Sequence, residues 1–365
     1  IIGLHIGEPK GKAPEEALEV IFNNSDTFSK YPTSVGDFSL REAYCGWLSD
    51  RFSVNYINPD LNVLPLSGTR EGIFSFIQCA IDTSKENPKV LLPNPFYKIY
   101  EGAAIMAGAE PYYVNSEESN GFKPDFESIP ESVWKDCQLL ILCSPSNPTG
   151  YCLDKKEYKE LLSKAEKYNF LLCSDECYID IYETNAHPPA GLLECDDLSE
   201  PNSKSVVFHS LSKRSNLAGL RSGFICAGKE VIEKLSLYRT YHGVTLSFPT
   251  QKASTWAWSD KDHVQANRLE YDKKYKVAIS CLDSIEDLER PQGGFYFWLK
   301  LPCDDEIFAK TLYQEESVLS LPGSYLATEN NGFNPGKGYL RLAVVHDIET
   351  ITKAFNAVNK TLKRF

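Results

Sequence analysis

The stretch VVFHSLSKRSNLAGLRSGF, residues 206–224, joins a buried-strand pattern to basic side chains. Lys213 follows the apolar run, and Arg221 lies eight residues beyond it. In a partly desolvated pocket with other cations the pKa of the lysine amine falls, so that the neutral amine can attack an aldehyde. Arg221 offers a planar fork for a phosphate, and the hydroxyl of Ser210 can donate to the same group. A solvent-exposed lysine is the simpler interpretation of Lys213 taken alone.

A second candidate is the carboxylate of Asp175, which follows the apolar run 170–173 in the sequence SDECY. A carboxylate at the end of a buried strand needs a cation or an N–H donor as partner. A protonated pyridine nitrogen meets that need and keeps the ring an electron sink. A helix N-cap and a metal ligand stay open as alternatives for Asp175. Tyr178 can donate a hydrogen bond to a ring oxygen, or simply pack.

Two loops carry side chains that suit a planar ring. In SPSNPTG, residues 144–150, Asn147 precedes a proline, which favours extended backbone and directs the side-chain amide. In PNPFYKIYEGA, residues 93–103, Tyr97 follows a strand and can lie against a ring face. Turn formation and core packing account for these residues when each is taken singly.

Two further segments suit anions. In LPLSGTREGIFSFI, residues 64–77, a turn at Gly68 and Thr69 opens a helix, whose free N–H groups can bind an anion. An ordinary capped turn is the alternative, and the two common glycine-rich nucleotide-binding patterns are absent. Arg341 lies inside the apolar strand YLRLAVV, where it needs a carboxylate or phosphate partner. A substrate α-carboxylate satisfies this requirement with two parallel hydrogen bonds.

The elements that must position these side chains are short apolar runs alternating with helical segments. The runs are 61–67, 89–93, 138–145, 170–176, 205–212 and 223–228, and the helical segments include 69–82, 97–108, 154–168 and 229–240. Continuous apolar strands separated by helices predict a mainly parallel sheet covered on both faces. The polar residues collect at the carboxyl ends of the strands, where α/β sheets bind ligands.

The pattern changes after about residue 245. A polar helical stretch precedes two alternating strands, and the chain ends in a helix-periodic segment. We therefore expect an α/β fold with a large domain at 31–247 and a smaller α+β domain at 248–365. The segment 1–30 is expected to pack with the small domain.

Composition narrows the function classes. The 365 residues carry a net charge of −12, which argues against a nucleic-acid partner. The eleven cysteines form no C-x-x-C pair, so no metal site is expected and a reducing cytoplasm is predicted. No apolar stretch approaches the length of a membrane helix, so no membrane partner is expected.

Taken together, these residues resemble the class I/II aminotransferases of pyridoxal phosphate (PLP) fold type I, over essentially the whole chain. The resemblance implies that Lys213 is joined covalently to PLP and moves protons between the substrate and the cofactor. It implies that Asp175 pairs with the pyridine nitrogen and that Tyr97 stacks on the ring. Asn147 and Tyr178 would hold the ring oxygen, and Asn147 would also contact the substrate.

The same resemblance assigns the anion sites and a partner. The phosphate ligands it implies are Gly68, Thr69, Arg70, Ser210 and Arg221. Arg341 and the backbone of Gly7 would bind the substrate α-carboxylate. Tyr31, in YPTSVG, resembles a tyrosine that reaches the phosphate of the neighbouring subunit, which implies a homodimer with shared active sites.

Longer sequence words are similar to those of the succinyldiaminopimelate aminotransferases of lysine biosynthesis. They are SGTREG, PNPFYKIYEGAA, FHSLSKRSN, LRSGF and YRTYHG. These enzymes exchange an amino group between glutamate and N-succinyl-2-amino-6-oxopimelate. Arg239, in YRTYHG, is the predicted partner of the distal carboxylate, although a cation at a helix C-terminus is an equally good interpretation.

Other functions share most of these residues. The alternatives within the class are aspartate, aromatic and methionine aminotransferases and C–S β-lyases. A regulatory PLP-binding module would need a DNA-binding segment, and residues 1–30 carry no helix-turn-helix pattern. A nucleotide-binding α/β enzyme is disfavoured because its glycine patterns are missing.

Overall fold

The computed structural model describes all 365 residues as a large α/β unit joined to a smaller α+β unit. The strands are β1 Ile2–Gly3, β2 Val63–Leu66, β3 Lys89–Asn94, β4 Glu110–Asn115, β5 Cys137–Cys143, β6 Leu171–Asp175, β7 Ser205–Ser210, β8 Gly223–Ala227, β9 Tyr296–Lys300, β10 Val318–Leu319, β11 Leu321–Pro322 and β12 Tyr339–Ala343. The helices are α1 Glu15–Asn23, α2 Phe38–Phe52, α3 Thr69–Ala80, α4 Ile99–Met106, α5 Glu131–Asp136, α6 Lys155–Tyr168, α7 Leu211–Arg214, α8 Lys229–His242, α9 Phe248–Ser259, α10 Asp262–Cys281, α11 Asp305–Glu316 and α12 Ile348–Leu362.

The large sheet has seven strands in the order β2-β8-β7-β6-β5-β3-β4. Only β8 runs antiparallel to its neighbours, as the pairings of β8 with β2 and β7 show. Every residue of β7 and β8 is buried, as expected for strands covered on both faces. The predicted sandwich is confirmed, because one apolar core joins the sheet to α2, α6 and α9 and another joins it to α3, α4 and α8.

Local signals explain where the helices of this unit begin. Asp154 caps α6, since its Oδ1 accepts a hydrogen bond from the N–H of Glu157 at 2.8 Å. The Oε2 of Glu157 accepts in return from the N–H of Asp154 at 2.8 Å, which completes a capping box. Asn169 ends α6 in the left-handed conformation, and the chain then enters β6.

The smaller unit contains the antiparallel sheet β11-β12-β9 and the parallel pair β1-β10. Its core is formed by β9, β12, α10, α11 and α12, with Phe297, Phe308 and Phe355 among the buried side chains. The predicted α+β arrangement is therefore confirmed. The first strand reaches this unit from the far end of the chain.

The packing of the helices differs from the domain limits predicted at residues 30 and 247. Helix α9 packs against α1 and α2, and its Trp258 belongs to the core of the large sheet rather than to that of the small unit. Within the segment 1–30, β1 pairs in the small unit whereas α1 packs on α9. Packing therefore favours a limit nearer residue 260 than residue 247, and the division into independently folding domains stays a prediction.

None of the helices combines the length and the apolar character that a membrane crossing requires. The predicted location in the cytoplasm is untested and stays a prediction.

Candidate active site

A cleft of about 660 Å³ lies at the carboxyl edge of the large sheet, where this edge meets the small unit. Most of the predicted site residues line it together: Gly7, Thr69, Arg70, Tyr97, Asn147, Asp175, Tyr178, Ser210, Lys213, Arg221 and Arg341. They come from the N-terminal segment, from the start of α3 after β2, from the ends of β3, β5, β6 and β7, from the segment before β8, and from β12. The cleft is thus assembled from the N-terminal segment, the large unit and the small unit.

The amine of Lys213 lies at the centre of this cleft. Strand β7 ends at Ser210, whose Oγ accepts a hydrogen bond from the N–H of Ser212 at 3.1 Å and so caps the short helix α7 that carries the lysine. The Nζ of Lys213 donates to the carbonyl oxygen of Gly7. Burial, with smaller contributions from Arg341 and Arg221, lowers the pKa of Lys213 to about 8. A large share of the amine is therefore neutral in mildly alkaline solution.

The carboxylate of Asp175 ends β6 and is buried, with 4% of the residue exposed. Tyr100 donates its hydroxyl proton to Oδ2 at 2.7 Å, and the N–H of Cys177 donates to Oδ1 at 3.2 Å. Burial raises the pKa of Asp175, and these hydrogen bonds only partly offset the effect. No cation of the chain pairs with this carboxylate, so a cationic group in the cleft would complete it.

An anion-binding corner lies at the start of α3. Gly68 precedes the helix with φ of +80°, and a Cβ atom there would lie 2.2 Å from the Nη2 of Arg221. Arg221 itself adopts φ of 54°, uncommon for a residue with a side chain, and its Nη1 donates to the carbonyl of Ala218 at 2.9 Å. The free N–H groups of α3 and this guanidinium therefore converge, and Thr69 and Ser210 line the same corner.

Arg341 has unused hydrogen-bonding capacity inside the cleft. Its Nη1 donates to Oδ1 of Asn147 at 2.8 Å, and its Nη2 donates to the carbonyl of His5 at 2.7 Å. The Nε is buried without a partner, and the residue is only 6% exposed. Since a buried guanidinium without a carboxylate is costly, a carboxylate ligand fits this position.

The rim of the cleft carries Tyr97 and Arg70. The Nε of Arg70 donates to the hydroxyl of Tyr97 at 2.5 Å. The Tyr97 ring meets the Tyr100 ring edge to face, with centroids 5.7 Å apart. Arg70 is exposed and held by Tyr97, so its predicted role as a phosphate ligand stays untested.

The comparisons with known proteins point the same way as this geometry. The sequence model described as "Aminotransferase class I and II" matches residues 1–358. This chain belongs to that family. The LL-diaminopimelate aminotransferase of Aquifex aeolicus is 32% identical to this chain over 373 residues. The match covers 100% of this chain and 92% of the relative.

Solved structures resemble the aminotransferase along its whole length. An aminotransferase from Neisseria meningitidis superposes with a TM-score of 0.93 at 40% identity, covering 99% of this chain and 92% of that one. A probable N-succinyldiaminopimelate aminotransferase from Thermus thermophilus gives a TM-score of 0.86 at 26% identity, covering 99% and 95%. The fold is PLP fold type I, as predicted.

Enzymes of this family use PLP, and the residues of the cleft fit that cofactor. The buried Asp175 lacks a cation, which a protonated pyridine nitrogen would provide. The corner at Gly68 and Arg221 suits a phosphate, and the low-pKa amine of Lys213 suits an aldehyde. The fit rests on complementary charge at Asp175 and Arg221 and on a nucleophilic amine at Lys213.

The depressed pKa of Lys213 leads to a prediction about the aminotransferase without its cofactor. Below about pH 8 the folded protein carries a buried charged amine, and this penalty disappears as the pH rises from about 8 to the ordinary value of 10.5. Lys213→Met should therefore be more stable than the parent at pH 7, on the order of 1–3 kcal/mol, with the difference vanishing near pH 10.5. Denaturant unfolding at both pH values measures this, with Lys229→Met as a surface control. A variant less stable than the parent at pH 7 would contradict it.

The prediction that Arg239 binds the substrate is wrong. Its guanidinium is 1% exposed and does not line the cleft. The Nε and Nη2 donate to the two carboxylate oxygens of Glu71 at 3.1 Å each, and Nη1 donates to the carbonyl of Pro65 at 2.9 Å. These three hydrogen bonds join α8 to α3 and β2, so Arg239 has a structural role.

Arg239→Ala should therefore destabilise the aminotransferase rather than impair its substrate binding. Removal of one partner of a buried ion pair costs about 3–5 kcal/mol, here measured as the free energy of unfolding in denaturant. The KM for glutamate, measured below the unfolding transition, should stay within about twofold of the parent, since the residue lies outside the cleft. A raised KM with unchanged stability would restore the rejected assignment. Replacing both partners, Arg239→Met with Glu71→Leu, should recover part of the loss.

Tyr31 lies outside the cleft of its own chain. Its side chain is fully exposed, and the nearby Phe28 is also largely exposed. The structure of one chain therefore leaves open the prediction that Tyr31 reaches the phosphate of a neighbouring subunit.

Several residues of the site escaped the sequence-based prediction. Tyr100 holds Asp175, Cys177 approaches Thr69 with 3.1 Å between Sγ and Oγ1, and Tyr296 lines the cleft beside Tyr178. Tyr100 is recognisable from its place one turn after Tyr97 on the same helical segment. Tyr296 had no such signal, because it lies within a strand that alternates like any half-buried strand.

Proposed function

We propose that the aminotransferase exchanges an amino group between glutamate and N-succinyl-2-amino-6-oxopimelate, a step of diaminopimelate and lysine synthesis. The observation that carries this proposal is the unpaired, buried guanidinium of Arg341 in the same cleft as the low-pKa amine of Lys213. An α-amino acid places its carboxylate on Arg341 and its Cα within reach of a base. The family and the names of its relatives support the substrate class.

In this proposal each residue has a defined task. When bound, PLP supplies an electron sink that stabilises negative charge at the substrate Cα. Lys213 Nζ would take the proton from the substrate Cα and return a proton to the other carbon bonded to the transferred nitrogen. Asp175 keeps the pyridine nitrogen protonated, and Asn147 and Tyr178 bind the ring oxygen. Glutamate leaves as 2-oxoglutarate before the ketoacid enters, so the two substrates share one site in turn.

Both substrates carry a second carboxylate, and Arg239 is not available to bind it. Apart from Lys213, Arg221 and Arg341, the lysine and arginine side chains that line the cleft are Arg70 and Lys98. For Arg70, a role at the distal carboxylate would replace the phosphate role predicted from the sequence. Lys98 lies 3.7 Å from a carboxylate oxygen of Glu101 and donates to Oγ1 of Thr328 at 3.0 Å. Arg70 forms no ion pair with a carboxylate of the chain. We therefore assign the distal carboxylate to Arg70, which favours a substrate whose distal end is anionic.

Unsuccinylated LL-diaminopimelate is the second candidate substrate. The carboxylate of Glu8 lines the cleft and can accept a hydrogen bond from a distal ammonium group. Lys10 already pairs with Glu8, which leaves that carboxylate less available. The name of the Aquifex aeolicus relative also supports this candidate.

A substrate screen with purified, PLP-loaded enzyme tests the proposal. The substrate pairs to compare are the succinylated ketopimelate with glutamate, and LL-diaminopimelate with 2-oxoglutarate. Aspartate, aromatic amino acids and methionine are tested as further amino donors. Pyruvate release is measured separately, as a sign of C–S lyase activity. The succinylated ketopimelate should give the highest kcat/KM, and Arg70→Ala should lower that value about tenfold or more, as loss of a charged hydrogen bond does. Lys98→Ala serves as the matched cation control and should have a smaller effect. A higher kcat/KM for any other substrate pair would overturn the substrate assignment.

We further propose a homodimer in which Tyr31 completes the phosphate site of its partner. The exposed aromatic side chains of Phe22, Phe28 and Tyr31 support a covered surface in this region. Light scattering should give twice the chain mass, and Tyr31→Phe should weaken PLP binding without altering that mass. A monomer with full activity would contradict the shared site.

A further inference from the structure

Tyr296 touches three residues of the cleft at once. It begins β9 in the small unit, is 4% exposed, and lines the cleft. Its hydroxyl oxygen lies 3.0 Å from that of Tyr178, which lies in the turn after β6 of the large sheet. Burial raises the pKa of both hydroxyls, so both are neutral and one must donate to the other. The position of the Tyr178 proton therefore depends on Tyr296.

The ring of Tyr296 also supports the guanidinium of Arg341. The Cζ of Arg341 lies 4.3 Å from the ring centroid, within the range of a cation–π contact. Sheet register explains the contact, since Arg341 pairs across the sheet with Trp298, and Tyr296 lies two residues away on the same face. The only buried side-chain oxygen that accepts from this guanidinium belongs to Asn147, so the aromatic face contributes a large part of its environment.

Gly7 explains why the hydroxyl of Tyr296 fits there. A Cβ atom at Gly7 would lie 1.6 Å from this hydroxyl oxygen, so any side chain would displace Tyr296. The φ of Gly7 is not positive, which makes space rather than backbone conformation the reason for glycine. The carbonyl of Gly7 accepts from Lys213, so Tyr296 packs against the segment that contacts the amine.

We propose that Tyr296 is a positioning residue for transamination, whose ring holds Arg341 for the α-carboxylate and whose hydroxyl directs Tyr178 toward the cofactor oxygen. This inference rests on the roles proposed above for Arg341 and Tyr178. It adds a residue of the small unit that acts on both the substrate and the cofactor through its neighbours.

Two variants separate the ring from the hydroxyl. Tyr296→Phe keeps the ring, so KM and the affinity for a dicarboxylate analogue such as maleate should stay within about twofold of the parent. Loss of the hydrogen bond between the hydroxyls of Tyr296 and Tyr178 weakens donation by Tyr178 to the anionic form of the cofactor. When the absorbance of the bound cofactor is titrated with pH, its midpoint should therefore rise by about half a pH unit. Tyr296→Leu also removes the aromatic face, and maleate affinity should fall roughly 10–30-fold. Trp298→Phe, on the same strand but stacked on Tyr339, is the control for packing.

The outcomes distinguish this inference from the proposed function. If both Tyr296 variants match Trp298→Phe in absorbance midpoint and maleate affinity, Tyr296 only packs and the inference fails. Arg341→Lys is measured in parallel and should raise KM for both substrates at least tenfold, because the bidentate carboxylate contact is lost. An unchanged KM in that variant would instead overturn the role of Arg341 and, with it, the proposed function.

Discussion

Lys213→Ala should fold, bind PLP without a covalent bond, and lose turnover by about 10²–10⁴-fold or more. General-base catalysis by a positioned side chain contributes that range, and the chain places no other amine at this point of the cleft. Single-turnover kinetics with glutamate measure the proton-transfer step directly. Mass spectrometry after borohydride reduction should detect a pyridoxyl group on the peptide of the parent and none on that of the variant.

Two controls make this result specific. Lys229→Ala, on the exposed surface of α8, should keep the turnover of the parent. Small primary amines added to Lys213→Ala should restore part of the rate, because only the base is missing. Turnover within tenfold of the parent without added amine would remove Lys213 from its assigned role.

Asp175→Asn should lower kcat/KM by about 10²–10⁴-fold while preserving the fold. The change removes one partner of a buried ion pair with the cofactor, which costs about 3–5 kcal/mol, and makes the electron sink less effective. Asparagine keeps the shape of the side chain, and its amide oxygen can still accept from Tyr100. Kinetics and the absorbance spectrum of the loaded variant measure the effect. Asp262→Asn, at the exposed start of α10, is the charge-matched control. A spectrum and rate equal to those of the parent would argue against pairing with the pyridine nitrogen.

The positions of the strand ends could be predicted from sequence because continuous apolar runs are a strong local signal. Lys213 and Asp175 each follow such a run, and parallel strands bring their carboxyl ends to one edge, so the meeting of these residues follows from topology. The cleft confirms that they lie together. Their catalytic roles stay proposals until the variants are measured.

Long-range pairing explains what the sequence could not reveal. Arg239 and Glu71 are 168 positions apart, and nothing local to YRTYHG indicates that a carboxylate of α3 will meet the guanidinium. Strand β4 was missed because, at the edge of the sheet, only Val114 of its residues is buried and no continuous apolar run marks it. The polar stretch predicted as one helix is two, since Asp260 ends α9 and accepts from the N–H of His263 at the start of α10.

The N-terminal segment formed by residues 2–7 has a consequence for protein engineering. Its strand β1 pairs with β10. The carbonyl of His5 accepts a hydrogen bond from Arg341, and the carbonyl of Gly7 accepts one from Lys213. Trimming these residues would strip acceptors from two cationic side chains at once, although no charged group of the chain had been altered. Deletions or insertions within residues 2–7 should therefore lower turnover even in a variant that still folds, because Arg341 and Lys213 each lose an acceptor.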